Sequence, residues 1–352
     1  MNIPLIERDV RVAIIGYGRW GRQCHAHLIE RAPGLVLHGI ASGSEEKRAQ
    51  IEQNHRCRAY ESFEQVLGDA QVDLVVLATP NDTHAPYSIA AMQSGKHVVT
   101  DKVACLSLEE FKRMETSARE NNRLLTVFQN RRLDGDFRTL QKAMSDGTLG
   151  SVKWVEMAWQ GFGTWGSWRG ERSRGGGRFY DLGAHLIDQA QLLFPQPVES
   201  VFCRMQYDIP GHDVESDCLI VITFEGGATA VLDLSSLSAY SKPRFLAHGS
   251  DATFQKFGLD PQEDALKAGD IELSREKIDE RARIKGKGEE QMLESVPGRW
   301  RDYYENIAQV LQQGAQPIVS LESAGRTMHI IDAALRSAQT GQAVRETIAS
   351  AS

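Results

Sequence analysis

Between residues 11 and 128 the sequence alternates short apolar runs with helical patterns. The runs are RVAII (11–15), LVLHGI (35–40), VDLVVLA (72–78), HVVT (97–100) and LLTVF (124–128). They are continuous rather than alternating and rich in Val, Ile and Leu. Strands covered on both faces of a parallel sheet read this way. Helical patterns lie near 19–31, 45–54, 62–68, 85–94 and 107–121. Ser44 and Ser107 stand where N-caps belong, and Glu110 completes a capping box with Ser107. This alternation implies a doubly wound α/β domain with a parallel sheet.

After Phe128 the pattern changes. A helix is predicted over 134–146, followed by longer alternating runs at 151–160, 200–209, 217–226 and 228–236. These suit an open, mostly antiparallel sheet with one face covered, with a hairpin around Glu225-Gly226-Gly227. The charged stretch 259–294 predicts a surface excursion short of strands, and helical patterns return at 299–313 and 322–338. With 352 residues and about 150 per domain, two domains are expected, over 1–128 and 129–352. Lys plus Arg is 40 against 47 Asp plus Glu, a net charge of −7. That balance weighs against nucleic-acid or anionic-membrane partners, which need a basic footprint. Five scattered cysteines without a CxxC argue against a disulfide framework or zinc knuckle and fit a reducing compartment. The first residues lack the pattern of a signal peptide, and the run Val72–Pro80 is too short to span a bilayer. A cytoplasmic protein is expected.

The segment GYGRWG places Gly16, Tyr17, Gly18, Arg19, Trp20 and Gly21 directly after the first strand run and before the first helix. In that context the spacing predicts a dinucleotide site. Gly16 allows the turn, Gly18 lets a pyrophosphate approach, and Gly21 lets the helix pack on the sheet. The end of the second run reads Gly39-Ile40-Ala41-Ser42-Gly43-Ser44, with no carboxylate to hold ribose hydroxyls. Ser42 and Ser44, with Lys47, Arg48 and Arg19, would bind a 2′-phosphate, so NADP is expected over NAD. Thr79, Pro80, Asn81 and His84 in ATPNDTH, and Lys102 in TDKV, follow strand runs. Ligands of open α/β sheets sit at such carboxyl ends, which makes these residues candidate cofactor contacts. A lysine there can also donate to a substrate oxygen.

The densest cluster is GGGRFYDLGAHLID, 175–188. Asp181 and His185 are spaced i, i+4 with Asp188 three further on, so a helix stacks them on one face. His185 is the natural general base for an alcohol proton, and Asp181 can hold a hydroxyl or the imidazole. Gly183 is read as room for a ligand. No metal is expected, because a hydride enzyme does not need one. Trp165, Trp168 and Arg169, in a glycine-rich loop, are expected to wall the pocket and close over substrate.

The three glycines, the ATPN segment, Lys102 and the Asp181…His185 spacing together resemble the Gfo/Idh/MocA oxidoreductase family over nearly the whole chain. FQNRRLDGDF (128–137) and KFGLDPQEDALKAG (256–269) resemble its NADP-dependent scyllo-inositol dehydrogenase-like subgroup. The resemblance implies an NAD(P)-binding Rossmann domain followed by a substrate-binding and oligomerisation domain. It implies Lys102, Asp181 and His185 as the catalytic set. Asn130, Arg131, Trp168, Arg169 and Tyr303 or Tyr304 are then pocket residues. Arg131 and Arg132 have a plainer reading, as partners of Asp134 and Asp136. The implied activity is NADP-dependent hydride transfer from a secondary alcohol of a cyclic polyol or sugar, in a homodimer or homotetramer. An aldose or dihydrodiol dehydrogenase, an NAD-dependent glycosidase or a non-catalytic dinucleotide sensor are the alternatives. The family's Glu-Lys-Pro appears here as Asp101-Lys102-Val103. A cis bond costs several times more before valine than before proline, so a trans bond is expected.

Overall fold

The computed structural model describes residues 3–350 and divides into two compact units. The first comprises the chain up to Asn130, with Leu266–Gly269 and Trp300–Ala324. The second comprises Arg131–Ala265, Asp270–Arg299 and the chain from Gly325.

In the first unit, six parallel strands are β1 (Val10–Ile15), β2 (Leu35–Ala41), β3 (Arg58–Tyr60), β4 (Leu74–Leu77), β5 (His97–Thr100) and β6 (Leu125–Val127). Their order is β3-β2-β1-β4-β5-β6. The order reverses between β1 and β4, the switch point where such sheets bind ligands. The helices are α1 (His27–Ile29), which continues a π-turn over Gly21–Ala26, then α2 (Glu45–Asn54), α3 (Phe63–Gly68), α4 (His84–Gln93) and α5 (Leu108–Glu120). All five expected strand runs are present. The three-residue edge strand β3 is additional; it carries too few apolar residues to show as a run. Ser44 and Ser107 cap α2 and α5, and Glu110 Oε2 accepts from Leu106 N at 2.9 Å.

In the second unit, α6 (Gly135–Ser145) precedes a nine-stranded sheet. Its strands are β7 (Val152–Gln160), β8 (Val198–Gln206), β9 (Asp217–Phe224), β10 (Thr229–Ser235), β11 (Phe245–Gly249), β12 (Ala252–Lys256), β13 (Arg283–Gly286), β14 (Gln291–Met292) and β15 (Val344–Ile348). Between β7 and β8 runs α7 (Ala184–Leu193), led by a second π-turn over Phe179–Gly183. The remaining helices of the chain are α8 (Gln262–Lys267), α9 (Arg301–Gln313) and α10 (Leu321–Thr340). The sheet is mixed but mostly antiparallel: only β7 and β10 pair in parallel. One face is buried through Ile220, Ile222, Ala230, Leu232 and Leu234. The excursion 259–294 does contain structure, namely α8, β13 and β14. Its strands are short and charged because they lie at the sheet's edge, where a charged row is tolerated.

His97, buried in β5, shows what burial does to a titratable group in this core. Its Nδ1 accepts from Leu124 N at 3.0 Å. Burial, helped by the charge of Arg123, pushes its pKa down to about 4. In the unfolded chain the value is about 6.5, so the unfolded state binds the proton first as pH falls. Stability from this group is complete above pH ~6.5 and is lost as pH falls toward about 4, a change of about 3 kcal/mol. His97→Asn, whose Oδ1 accepts the same hydrogen bond, is expected to flatten that loss. Urea titrations at pH 7 and pH 5 on both chains measure it.

Candidate functional site

The glycine turn is built by exclusion. Gly16 has φ +102°, and a Cβ there would meet Ala78 O at 2.5 Å; one on Gly21 would meet Gly16 O at 2.2 Å. A Cβ on Gly18 would meet nothing within 4 Å. Two glycines are therefore demanded by the chain's own packing, while the third faces open space. That space at the start of a helix fits a pyrophosphate. Tyr17 turns inward: its hydroxyl is 3.0 Å from His55 Nε2, and His55 Nδ1 is 2.7 Å from Glu30 Oε1. Trp20 packs edge-on to Trp300 with ring centroids 6.1 Å apart, and Arg19 is exposed.

Beyond β2, Ser42 Oγ accepts from Ser44 N and Ser44 Oγ accepts from Lys47 N, both at 3.3 Å. Arg48 Nη1 donates to Ser42 O at 3.0 Å. Each hydroxyl accepts in these bonds and keeps its own proton to donate. The serines thus cap the helix and still present two donors, beside Arg48 and the exposed Lys47.

Beyond β4, Thr83 donates to Pro80 O at 2.7 Å, which leaves Thr79 to donate to Thr83 Oγ1 at 2.6 Å. Thr79 and Pro80 are half-buried and Asn81 is buried. His84 corrects the sequence reading. It is 0% exposed, with Nδ1 2.7 Å from Val103 O and Nε2 3.1 Å from Thr79 O. Burial pushes its pKa down; a neutral ring carries one N–H, so one of these carbonyls accepts from it and the other is only a close neighbour, and the enclosed ring braces this part of the fold. Lys102 follows β5, half-buried. The Lys102–Val103 bond is cis, against expectation. His84 Nδ1 lies 2.7 Å from Val103 O, and Asp101 Oδ1 accepts from Lys102 N at 2.8 Å. Tyr303 and Tyr304 are core residues rather than pocket residues.

In the second unit, Asp181 lies in the π-turn before α7, half-buried, its Oδ1 3.9 Å from Arg169 Nε. His185 is buried on α7. Trp159 stacks on it, with ring centroids 6.1 Å apart and planes 24° from parallel. Sequence reasoning missed Trp159, although its place in the alternation of β7 puts it with the buried Val155 and Met157. Asp188 is no ligand group: Arg132 grips both its oxygens, at 2.7 and 2.6 Å. Arg132 thereby takes Asp188, not Asp136, which instead faces Arg244 at 4.0 Å. Gly183 is filled by the core, since a Cβ there would meet Leu234 at 3.1 Å.

Arg131 is also corrected. It is buried between Asp134, at 3.4 Å, and Glu263, with its guanidinium 5.0 Å from the Trp159 ring centre. Its charge is met inside the fold by these two carboxylates. Asn130 is 1% exposed and neither amide atom has a hydrogen-bond partner. An enclosed amide reaches no substrate either. The glycine-rich loop is pinned by guanidinium–aromatic contacts: Arg169 on Trp168 at 4.7 Å, Arg178 on Trp165 at 4.2 Å and Arg172 on Tyr207 at 4.8 Å. Among the described residues no cluster of His, Cys, Asp or Glu is placed to hold a metal ion, and no helix is long and apolar enough to cross a membrane.

The glycines separate fold from binding. Gly18→Val is expected to melt within a few degrees of the parent while losing dinucleotide binding at least tenfold. Gly21→Ala is expected to lower the melting temperature, because its methyl collides with main chain. Thermal melts and fluorescence titration with NADPH read both.

Residues 10–129 match the oxidoreductase family with an NAD-binding Rossmann fold, and residues 137–255 match the GFO/IDH/MocA C-terminal domain. The uncharacterized oxidoreductase YdgJ of Escherichia coli is 34% identical over 340 residues, covering 94% of this chain and 97% of that one. The NADP(+)-dependent scyllo-inositol 2-dehydrogenase IolW of Bacillus subtilis is 29% identical, with 94% of each chain covered. The solved structure of the Bacillus subtilis oxidoreductase YvaA superposes with a TM-score of 0.90 at 27% identity, over 97% of this chain and 99% of that one. The similarity thus extends over nearly the full length of the chain, and this chain belongs to the Gfo/Idh/MocA family of NAD(P)-binding oxidoreductases.

Proposed function

We propose that the protein is an NADP-dependent dehydrogenase that oxidises a secondary alcohol on a cyclic polyol or sugar, inositol-like in class, and runs the reverse reduction. The observation that carries the reading is the start of α7, where a partly exposed carboxylate, Asp181, precedes an imidazole, His185, held by an aromatic stack. A general base must have a fixed ring orientation, and Trp159 supplies one. His185 takes the hydroxyl proton. Lys102 is assigned, by the family resemblance, to donate to a substrate oxygen and stabilise the charge that develops there. Asp181 accepts from a neighbouring hydroxyl, and Trp168 and Arg169 line the substrate's approach. A nicotinamide, when bound, supplies the hydride acceptor.

The preference for NADP rests on the end of β2. Ser42, Ser44, Lys47 and Arg48 offer donors to a 2′-phosphate, and no carboxylate stands between Gly39 and Ser44. Arg19 adds a cation from the glycine turn. The scyllo-inositol 2-dehydrogenase among its relatives is named for NADP(+), which supports the same choice. We place the protein in the cytoplasm, where reduced thiols such as its five cysteines persist. We also propose a homodimer or homotetramer formed through the open face of the nine-stranded sheet. There Phe202, Val221, Val231 and Leu246 form an apolar row, each paired across or flanking Glu156. Trp154 and Leu219 on the same face are 40% and 39% exposed.

A panel of inositols, aldoses and ketoses with NADP and with NAD, followed at the nicotinamide absorbance, tests the reading. NADP-linked turnover of an inositol supports it. Turnover of aldoses alone moves the substrate class, tighter NAD than NADP binding overturns the cofactor assignment, and binding without any turnover makes the chain a sensor. His185→Ala is expected to lower kcat ~10²–10⁴-fold with dinucleotide affinity unchanged; near-parental turnover removes its role as base.

A further inference from the structure

Behind Lys102 lies a row of polar groups that neither dinucleotide binding nor proton abstraction uses. Tyr304, on α9, and His25, in the π-turn after the glycine loop, are both wholly buried. Tyr304 Oη is 2.6 Å from His25 Nδ1. His25 Nε2 faces Asp101 Oδ2 at 3.5 Å. Asp101 Oδ1 accepts the main-chain N–H of Lys102 at 2.8 Å, and Asp101 N donates to Leu77 O at 3.0 Å. Three side chains from three separate segments thus lead to the main chain of the lysine.

The proton positions follow from chemistry. An ionised carboxylate only accepts, so the nitrogen that faces Asp101 is favoured as N–H. A neutral imidazole carries one N–H, so Nδ1 is left as acceptor and Tyr304 must donate to it. We propose that Tyr304, His25 and Asp101 form a positioning chain that holds one tautomer of His25, keeps the Asp101 carboxylate oriented on the Lys102 main chain, and so aims Lys102 at the reacting oxygen. His84 braces the other side through Val103 O. The groups that face Asp101 are His25, Lys102 and His84; those that face Tyr304 are Tyr303, Cys24 and Asp101. Contacts to His25, Lys102 and His84 hold Asp101 below the ordinary carboxylate range despite its burial, and burial holds Tyr304 above the ordinary phenol range. The chain is therefore an anion at one end and a neutral donor at the other across the working pH range.

The role assigned to Lys102 rests on the dehydrogenase reading, but the tautomer does not, and the experiment uses both. In the ¹⁵N-histidine-labelled protein, His25 is expected to show a protonated Nε2 and an acceptor Nδ1 near neutral pH. Tyr304→Phe removes the donor to Nδ1 and is expected to shift the population toward the other tautomer. With whichever alcohol the panel identifies, Tyr304→Phe is expected to lower kcat about tenfold, the scale of one hydrogen bond, with KM and NADPH affinity within about twofold. Asp101→Asn is expected to lower kcat further, with NADPH affinity within about twofold. Asp101→Glu is expected to restore part of the rate. A protonated Nδ1 in the parent overturns the proposal, whatever the substrate. So does a normally melting Tyr304→Phe protein with parental tautomer and parental kcat, or an Asp101→Asn protein whose loss lies entirely in NADPH affinity.

Discussion

The contact between the Gly16–Gly21 turn and the end of β4 governs the first unit. Ala78 O sits where a side chain on Gly16 would begin, and Gly16 O where one on Gly21 would begin. Main chain meets main chain there, so the turn, the helix that follows it and the β4 terminus form one object. That object depends on the parallel pairing of β1 with β4, in register from Val12↔Leu74 to Ile15↔Leu77. Once the pairing is made, Gly18 is the one glycine of the three with space before it, and Thr79 and Asn81 follow at the same edge of the sheet.

Buried histidines do much of the remaining arrangement. His84 ties the residues after β4 to Val103, His97 ties β5 to Leu124, and His25 reaches from the glycine-loop helix to Asp101 and Tyr304. An imidazole suits such work because its two ring nitrogens sit at fixed separation and a neutral ring donates from one and accepts at the other, as at His97, whose Nδ1 accepts from Leu124 N. In the second unit the corresponding work falls to arginines. Arg132 on Asp188 and Arg131 among Asp134 and Glu263 are buried charges with ionic partners. Buried charges are tolerated only when paired in this way, and removing one partner strands the other. These residues look like site residues in the sequence because charge in an apolar context usually signals function. Here it signals architecture.

Much of the fold was legible. Continuous apolar runs predicted five of the six strands of the parallel sheet, and Ser44 and Ser107 predicted the starts of their helices. Three short edge elements were not legible. Arg58–Tyr60, Arg283–Gly286 and Gln291–Met292 have few apolar residues, because an edge strand buries little. Within the candidate site, the glycine turn and the Asp181–His185 spacing were visible because each rests on local geometry. Trp159 came from a strand 26 positions before His185 in the numbering, and spacing along one segment says nothing of a partner in another.

Local physics written in the sequence determined the element types, the caps, the need for glycine at the turn and the absence of a carboxylate after β2. Each depends on residues within one or two turns of one another. Tertiary structure alone decided which polar residues are consumed by the fold. His84 became a strut, Arg131 and Asp188 became halves of buried ion pairs, Gly183 became a packing surface and the Lys102–Val103 bond became cis. A side chain's role depends on whether water or protein surrounds it, and the surroundings come from segments far away in the chain.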